Sequence, residues 1–295
     1  MSEVSESPAA RWAAVVVNYN AGGHLHACVA SVCADDSAGA AEIVVVDNAS
    51  TDGSLAALRE IESVHVVANR TNVGFAAGAN RGIAASSAPI VAVINPDAVL
   101  HPGAAAALVT RLEHEPDLGA LGPRIDNVDG SRYPSARREP ALVDSIGHGL
   151  LGAWWPENPA TRRYREADVD HTVGRRVDWL SGAATFFRRD ALDAIGGWDE
   201  RFFMFMEDVD VCRRLRAAGW RVEYDPAAVV THVEGVSRAH HPYRMIWLHH
   251  RAALRFAAKH WRGPRRLLLP LAAAVLTARA ILSTTARLLS RKRRP

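Results

Sequence analysis

The stretch AAVVVNYN, residues 13–20, is the first of four similar apolar runs that decide the fold. Each run is short, rich in Val and Ile, and ends in polar or small residues, which is typical of a buried β-strand. Segments compatible with helices, 22–33, 53–61 and 76–86, lie between the runs. This alternation predicts an α/β fold with a Rossmann-like, mostly parallel sheet flanked by helices. The other three runs are EIVVVD (42–47), SVHVVAN (63–69) and PIVAVIN (89–95).

Polar side chains follow the predicted strands where each strand ends. In an open parallel sheet, ligands bind at the carboxyl ends of the strands. We therefore expect a ligand site at this edge, built from side-chain amides and carboxylates. The polar residues at the edge are Asn18, Tyr19, Asn20, Asp47, Asn48, Asn69, Asn72, Asn95 and Asp97.

Length and composition exclude several classes of protein. The chain has 295 residues, of which 48% are hydrophobic and 23% charged, so it is neither disordered nor collagen-like. Three cysteines without a CxxC pair argue against a disulfide framework or a structural zinc site. The polar, acidic start has no apolar core and does not resemble a secretory signal. We expect a flexible N-terminus (1–12), one catalytic domain (13–235) and a C-terminal extension (236–295).

The extension is distinguished by its charge. Residues 235–295 contain 14 of the 35 Lys and Arg and none of the 32 acidic residues, so they have a formal charge of +14 and the rest of the chain −11. Two helices are predicted there, over 240–261 and after Pro264. The longest uncharged run of the second, 267–278, is shorter than the roughly 20 residues that span a membrane. The pattern favours a helix lying in the interface of an anionic membrane, with a helical pair packed on the domain as the alternative.

Two motifs of the N-terminal half each permit two interpretations. In VVVDNASTDGS (44–54), Asp47 precedes a helix cap, where its carboxylate can accept from a nucleobase or a ribose, or merely complete a turn. Gly74, Gly78 and Gly82 are spaced by four, so on a helix they share a face. They indicate either tight packing of the helix on the sheet or the approach of its start to a bound phosphate.

Carboxylates and an imidazole form the remaining candidates. Asp97, in NPD, can bind Mg²⁺ or Mn²⁺ through hard oxygen atoms, or simply belong to a turn. Glu207 and Asp208 follow an apolar run and begin a predicted helix over 207–218. That apolar wall would raise the pKa of a carboxyl toward that of a general base, whereas stabilisation of the helix start is the simpler explanation. Two short strands are predicted near 220–231, and His232, which ends them, is a plausible metal ligand.

Taken together and in order, these motifs resemble the inverting GT-A glycosyltransferases of family 2. The resemblance covers roughly residues 13–235. It is closest to the branch with rhamnosyl- and galactofuranosyltransferases of bacterial cell-wall and O-antigen assembly. The motifs that carry it are VVVNYN (15–20), VVVDNASTDGS (44–54), NVGFAAGAN (72–80), NPD (95–97), WLSGAATFFRRD (179–190), GGWDERFFMFMEDVDVCRRL (196–215) and THVEGVS (231–237).

The resemblance implies a role for each candidate residue. Asp208 would be the catalytic base, and Asp97 and His232 would hold a divalent cation, Mg²⁺ or Mn²⁺. Asn95 stands where the family's metal motif has its first acid. The residues implied to bind the nucleotide sugar are Asn18, Tyr19, Asn20, Asp47, Asn72, Gly74, Asn80 and Asn95, and those implied on the acceptor side are Trp179, Gly182 and Glu207.

The resemblance also implies the reaction and its setting. We expect transfer of a sugar, first of all L-rhamnose from dTDP-rhamnose, to an acceptor linked to polyprenyl diphosphate, at the cytoplasmic face of the cell membrane. Another hexosyltransferase of the family, such as a galactofuranosyltransferase, is the alternative. A nucleotidyltransferase would want a basic glycine-rich loop after the first strand, and VVVNYNAGG has none. No motif for binding nucleic acid accompanies the basic tail.

Overall fold

The computed structural model describes residues 10–61, 63–139, 155, 157–165, 169–233 and 242–292. A large mixed β-sheet forms the centre of the molecule, and helices cover both of its faces. The strands are β1 (Trp12–Asn18), β2 (Ala41–Asp47), β3 (Val64–Ala68), β4 (Ile90–Ile94), β5 (Ala98–Leu100), β6 (Leu118–Asp126), β7 (Arg132–Tyr133), β8 (Ala136–Arg137), β9 (Arg175–Arg176), β10 (Trp179–Leu180), β11 (Ala184–Arg188) and β12 (Arg221–His232). The α-helices are α1 (His24–Cys33), α2 (Phe75–Ala84), α3 (Ala104–His114), α4 (Pro159–Arg165), α5 (Arg189–Ala194), α6 (Glu207–Ala217), α7 (Pro242–His260) and α8 (Leu269–Lys292).

The four predicted N-terminal strands form the parallel part of the sheet. The strand order of the whole sheet is β3-β2-β1-β4-β11-β6-β12-β5. Strand β1 pairs in parallel with β2 and β4, and β2 with β3. The antiparallel strand β11 lies between β4 and β6, so the second half of the sheet is mixed. The carboxyl ends of β1, β2 and β4 therefore meet at one edge, as the sequence predicted.

Side chains alternate between two hydrophobic cores, one on each face of the sheet. On β1, Ala14 and Val16 face the core that includes α1 and α3, whereas Val15 and Val17 face the core that includes α2 and α6. All four are buried. A strand that is covered on both faces needs a continuous apolar run, which explains the VVV sequences.

Glycines let α2 approach the sheet closely. A Cβ on Gly78 would lie 2.8 Å from Cγ1 of Val17, and one on Gly82 would lie 2.2 Å from Cγ1 of Val15. Both distances are shorter than van der Waals contact. The packing explanation of these two glycines is therefore confirmed.

Two sequence-based element predictions were wrong. The helix predicted over 53–61 is a short 3₁₀ segment, Ser54–Leu58, which follows Gly53 in the left-handed conformation. The two strands predicted near 220–231 are one strand, β12, whose pairing with β6 shifts between Asp225 and Val229. Pro226 lies within that shift and has no N–H to donate to a neighbouring strand. In the sequence, this interruption of the pairing therefore looks like the end of one strand and the start of another.

The C-terminal extension forms two helices that pack against each other, α7 and α8. Buried residues Ala252 and Phe256 of α7 pack with Phe202 and Val209 of the sheet domain. The helical segment Gly263–Leu289 is long and apolar enough to cross a membrane by length and composition, and nearly all of it is exposed. The predicted boundary between domain and extension falls within 234–241, outside the described residues.

Candidate active site

A cavity of about 1400 Å³ opens at the carboxyl ends of the strands. It extends from the ends of β1 and β2, past the start of α6, to the two C-terminal helices. Most of the predicted site residues line it, although they come from distant parts of the chain. Those lining it are Tyr19, Asn72, Gly74, Asn95, Asp97, Trp179, Gly182, Glu207, Asp208 and His232.

Four residues with a predicted role in donor binding do not line this cavity: Asn18, Asn20, Asp47 and Asn80. Asn18 is fully buried and donates from Nδ2 to Oδ1 of Asp47 at 2.8 Å. The other carboxylate oxygen of Asp47 accepts from the backbone N–H of Ser50 at 3.0 Å. Asn20 accepts from the N–H of Thr51 at 2.8 Å. These three side chains hold two strand-end loops together behind the cavity wall.

Asn80 belongs to a different structural unit. Its Oδ1 accepts from the N–H of Trp198 at 2.9 Å, and its Nδ2 donates to the carbonyl of Trp198 at 2.9 Å. The side chain thus fixes the turn that leads to the start of α6. The NVGFAAGAN motif places Asn80 two turns along α2, beyond the part of the helix that reaches the cavity.

Asp97 and His232 meet at one wall of the cavity. Strand β12 delivers His232, whose backbone pairs with Ala98 of β5, next to Asp97. The Oδ1 of Asp97 lies 3.1 Å from Nε2 of His232, and both side chains are buried. Asn95 is adjacent, with Nδ2 at 3.3 Å from the same ring nitrogen. An oxygen donor and a nitrogen donor that were 135 residues apart in sequence therefore face the same space.

The spacing of these two donor atoms suits a shared cation. Two ligands at about 2.1 Å from one octahedral ion and at right angles to each other are about 3.0 Å apart. Within the described ranges, no group of three or more His, Cys, Asp or Glu side chains is arranged to hold a metal. Asp97 and His232 are thus a pair of candidate ligands, and a cation bound there would need further ligands from substrate or water.

Glu207 and Asp208, at the start of α6, line the same cavity. Burial raises the pKa of Asp208, although its carboxylate accepts from the N–H groups of Gly182 at 3.2 Å and Val209 at 2.8 Å and lies near the positive charge of Arg137. Burial also raises the pKa of Glu207 to about 8, and the neighbouring charge of Asp208 adds to this effect. Oε2 of Glu207 is buried without a hydrogen-bond partner. Backbone N–H groups of Phe205 and Glu207 lower the pKa of Glu207, but burial outweighs them.

The loop before α6 has an unusual backbone. Phe205 and Met206 have positive φ angles of 71° and 65°, a conformation that is uncommon for large side chains. The preceding Phe203 is held by Phe75, whose N–H donates to the carbonyl of Phe203 at 2.8 Å. Strained residues persist where the surrounding structure fixes them, often at functional sites.

Several residues of the cavity wall were not among the predicted site residues. Asn48 follows Asp47 and donates to the carbonyl of Gly74 at 3.1 Å. Tyr133 packs edge-on against the ring of His232, with ring centroids 6.1 Å apart. Arg137 lies over the ring of Trp179 at 5.5 Å. Asn48 was visible as a polar residue at the strand edge, whereas Tyr133 and Arg137 belong to a segment without periodicity and gave no signal.

Comparison with known proteins shows the family to which the chain belongs. The family model "Glycosyltransferase like family 2" matches residues 8–255. The chain is 38% identical over 268 residues to the N-acetylglucosaminyl-diphospho-decaprenol L-rhamnosyltransferase of Mycobacterium tuberculosis, which covers 85% of this chain and 87% of that relative. It is also 34% identical to rhamnosyltransferase WbbL of Escherichia coli, over 38% of each chain.

Solved structures share the fold. A mannosyltransferase of Pyrobaculum calidifontis, in complex with GDP-Man and Mn²⁺, matches 96% of this chain and 78% of its own with a TM-score of 0.56 and 19% identity. GalNAc-T7 with UDP, GalNAc and Mn²⁺ matches 77% of this chain and 44% of its own, with a TM-score of 0.57 and 18% identity. The expected GT-A fold is confirmed, and the chain belongs to glycosyltransferase family 2.

Proposed function

We propose that the protein transfers L-rhamnose from dTDP-rhamnose to N-acetylglucosamine linked to polyprenyl diphosphate, with inversion at the anomeric carbon. The 38% identity over most of both chains to a relative named for this lipid-linked acceptor supports the assignment. The observation that carries the chemistry is one cavity that is lined both by Asp208 and by the Asp97–His232 pair.

Asp208 is the catalytic base in this proposal. Its carboxylate removes the proton from the acceptor hydroxyl while that oxygen bonds to the anomeric carbon and the nucleoside diphosphate leaves. A raised pKa suits this role because a stronger base takes the proton more readily. The neighbouring Glu207, with a pKa raised to about 8, is mostly protonated at neutral pH and thus a poor nucleophile. With Asp208 acting as a base and not as a nucleophile, the proposed reaction is a single displacement with inversion.

Asp97 and His232 would hold a divalent cation through Oδ1 and Nε2. When bound, the cation would neutralise the negative charge on the diphosphate of the donor. Asn95 would contribute a neutral amide beside this pair, whereas a carboxylate at the same position would contribute a negative charge. Carboxylate and imidazole together suit Mn²⁺, and a carboxylate also suits Mg²⁺.

The remaining predicted residues have positioning roles in this proposal. Tyr19, Asn72 and Gly74 line the donor end of the cavity, and Asn18, Asn20 and Asp47 shape the loops behind them. Trp179 and Gly182 line the acceptor side, where the N–H of Gly182 also orients Asp208. Asn80 supports the turn before α6.

The proposed site of action is the cytoplasmic surface of the cell membrane. The acceptor lipid is anionic, and residues 235–295 carry 14 basic residues and no acidic one. We propose the division into residues 1–12, 13–235 and 236–295, in which the last segment brings the catalytic domain to that surface.

A transfer assay tests the proposal. Purified protein receives labelled dTDP-L-rhamnose, Mn²⁺ and a synthetic N-acetylglucosaminyl diphosphate lipid, and NMR of the product gives the anomeric configuration. We expect Asp208→Asn to lower kcat by roughly 10²- to 10⁴-fold. The matched control is Asp193→Asn, an exposed residue of α5 outside the cavity.

Competing donors separate the alternatives. UDP-galactofuranose and other nucleotide sugars are offered in parallel, and transfer from one of them alone would make the protein another hexosyltransferase of the family. Formation of a nucleotide sugar from a sugar phosphate would identify a nucleotidyltransferase and overturn the proposal. Retention of activity in Asp208→Asn would overturn the role of Asp208.

A further inference from the structure

The cavity continues beyond the reacting groups into a groove between α7 and α8. The α8 residues that line it are spaced by three or four, so they form one face of that helix. The whole cavity, about 1400 Å³, exceeds the roughly 300–1,000 Å³ of usual small-molecule sites, so it has room for more than the donor. The wall residues from α8 and from the 3₁₀ segment directly before it include Leu268, Leu271, Val275, Leu276 and Arg279.

The α8 side of this groove is apolar and uncovered. Val275 is 40% exposed, and Leu268 and Leu271 are also exposed. On the α7 side, Ala253 and Phe256 line the same space. Such a patch on a soluble surface normally marks a binding site for an apolar partner.

Arginines accompany these apolar side chains. Arg244, Arg265 and Arg279 line the cavity, and no carboxylate of the described residues pairs with any of them. The guanidinium of Arg244 lies 5.2 Å from the ring centroid of Phe203, in the loop that leads to Asp208. A guanidinium that lines the same cavity as Asp208 suits a phosphate attached to the acceptor sugar, because Arg forms bidentate hydrogen bonds with phosphate.

Helix α7 is fixed firmly enough to form such a wall. Asp210, fully buried in α6, accepts from Nζ of Lys259 at 2.6 Å and interacts with Nε2 of His260 at 2.7 Å. Lys259 also pairs with Asp199 at 2.6 Å. This buried contact lies two residues from Asp208, so the α7 wall has a defined position relative to the base.

We infer that the groove between α7 and α8 binds the isoprenoid chain of the acceptor lipid, and that Arg244 binds its diphosphate. The inference rests on the proposed function and extends it, because it assigns the lipid part of the acceptor to residues of the C-terminal helices. The first isoprene units leave the bilayer and lie against α8. The acceptor sugar then reaches Asp208 with its diphosphate beside Arg244.

Two matched substitutions on α8 test the groove. Val275 lines it, whereas Ile281, which is also β-branched and 52% exposed, does not. Val275→Asp and Ile281→Asp are compared in detergent solution, with acceptors that carry the same head group on a C50 or on a C10 isoprenoid chain. We expect Val275→Asp to raise the KM for the long-chain acceptor about tenfold or more, since a charge replaces apolar contact. The KM for dTDP-rhamnose stays unchanged, and Ile281→Asp changes neither KM.

A second pair tests the diphosphate contact. Arg244→Gln should raise the KM for both acceptors by a similar factor, because they share the diphosphate. Arg251→Gln, an exposed α7 residue outside the cavity, should leave both unchanged.

Equal effects of Val275→Asp and Ile281→Asp would instead mean that α8 contacts only bulk lipid, which overturns the groove. Equal effects of the two arginine variants overturn the role of Arg244.

Photolabelling separates failure of the groove from failure of the proposed function. A benzophenone-bearing farnesyl diphosphate is irradiated with the protein, and the modified peptides are mapped by mass spectrometry. We expect adducts within 268–276 of the wild type and their loss in Val275→Asp. Labelling without transfer of any sugar would keep the groove and reject the proposed function. Transfer with equal KM for both chain lengths and no labelling within 268–276 would keep the proposed function and reject the groove.

Discussion

Glu207 and Asp208 are adjacent carboxyl groups with different surroundings. The N–H groups of Gly182 and Val209 reach Asp208, while Oε2 of Glu207 has no partner. Two like charges this close cannot both ionise easily in a buried site. The pair therefore favours a proton on Glu207 and a negative charge on Asp208. This is the distribution that a catalytic base with a neutral neighbour requires.

Glu207 should make stability depend on pH. Its pKa rises from 4.5 to about 8 on folding, so the folded protein holds a proton that the unfolded chain releases between these values. The stability that Glu207 contributes is fully present below pH 4.5 and is lost as the pH rises through about 8. Urea unfolding across this range should give a steeper fall for wild type than for Glu207→Gln. Parallel curves would contradict the raised pKa.

Asn95→Asp tests the cation site. The substitution puts a carboxylate next to Asp97 and His232, and hard divalent cations prefer anionic oxygen ligands. We expect tighter Mn²⁺ binding in the presence of dTDP, measured by titration of the Mn²⁺ EPR signal without turnover. Asn127→Asp, in an exposed turn outside the cavity, is the control. Unchanged or weaker binding by Asn95→Asp would place the cation elsewhere.

At the scale of elements, Gly74 joins the donor half of the site to the loop of the base. Its φ is +90°, and an added Cβ would lie 2.5 Å from the carbonyl oxygen of Phe203. Both facts require glycine. The close contact lets α2 begin against the loop that precedes α6, and so it links the two halves of the cavity.

Gly74→Ala should therefore destabilise the protein and displace the catalytic loop. With φ 90° and ψ 174°, Gly74 lies in a backbone region that is essentially restricted to glycine and costs other residues about 1–3 kcal/mol, and the clash with the backbone adds to this. Gly23→Ala is the control, because its φ is −68° and no atom lies near the added Cβ. Urea unfolding measures the difference in stability, and a value for Gly74→Ala equal to that of the control would contradict the account.

The sequence predicted elements well where one local cause decides them. Four apolar runs became β1 to β4, because a strand buried on both faces needs such residues. Prediction failed where distant pairing decides: β12 stays one strand because β6 and β5 hold both of its ends, despite Pro226. The prediction of a helix over 53–61 failed for a local reason, since Gly53 and the Asp52 side chain favour a tight turn.

The site was predictable to a similar degree. Residues at strand ends, such as Asp97 and His232, reach one space because topology brings strand ends together. Asp47 and Asn18 also end strands, but the amide of Asn18 donates to Asp47, so this contact serves the loop. The contribution of α7 and α8 to the wall depends on tertiary docking through Asp210 and Lys259, which no local pattern encodes.

At the scale of the whole molecule, charge and hydropathy divide the protein into two parts. The acidic catalytic part carries the cavity, and the basic extension carries the exposed apolar helix. In the proposed function, the basic part faces the anionic membrane surface and the acidic part faces the cytoplasm. The position of α8 beside the cavity mouth puts the boundary between these environments next to the reacting groups.

The manner of membrane binding is the last testable consequence. Segment Gly263–Leu289 is long enough to cross a bilayer, but Arg265, Arg279 and Arg287 divide it, and a buried arginine in a bilayer centre is unfavourable by about 2.5 kcal/mol or more. We therefore expect α8 to lie in the interface. Alkaline carbonate should then release the protein from membranes, and flotation should require anionic lipid and weaken with salt. A chain lacking 264–295 should not float with anionic vesicles. Retention of the full chain after carbonate would mean that α8 crosses the bilayer.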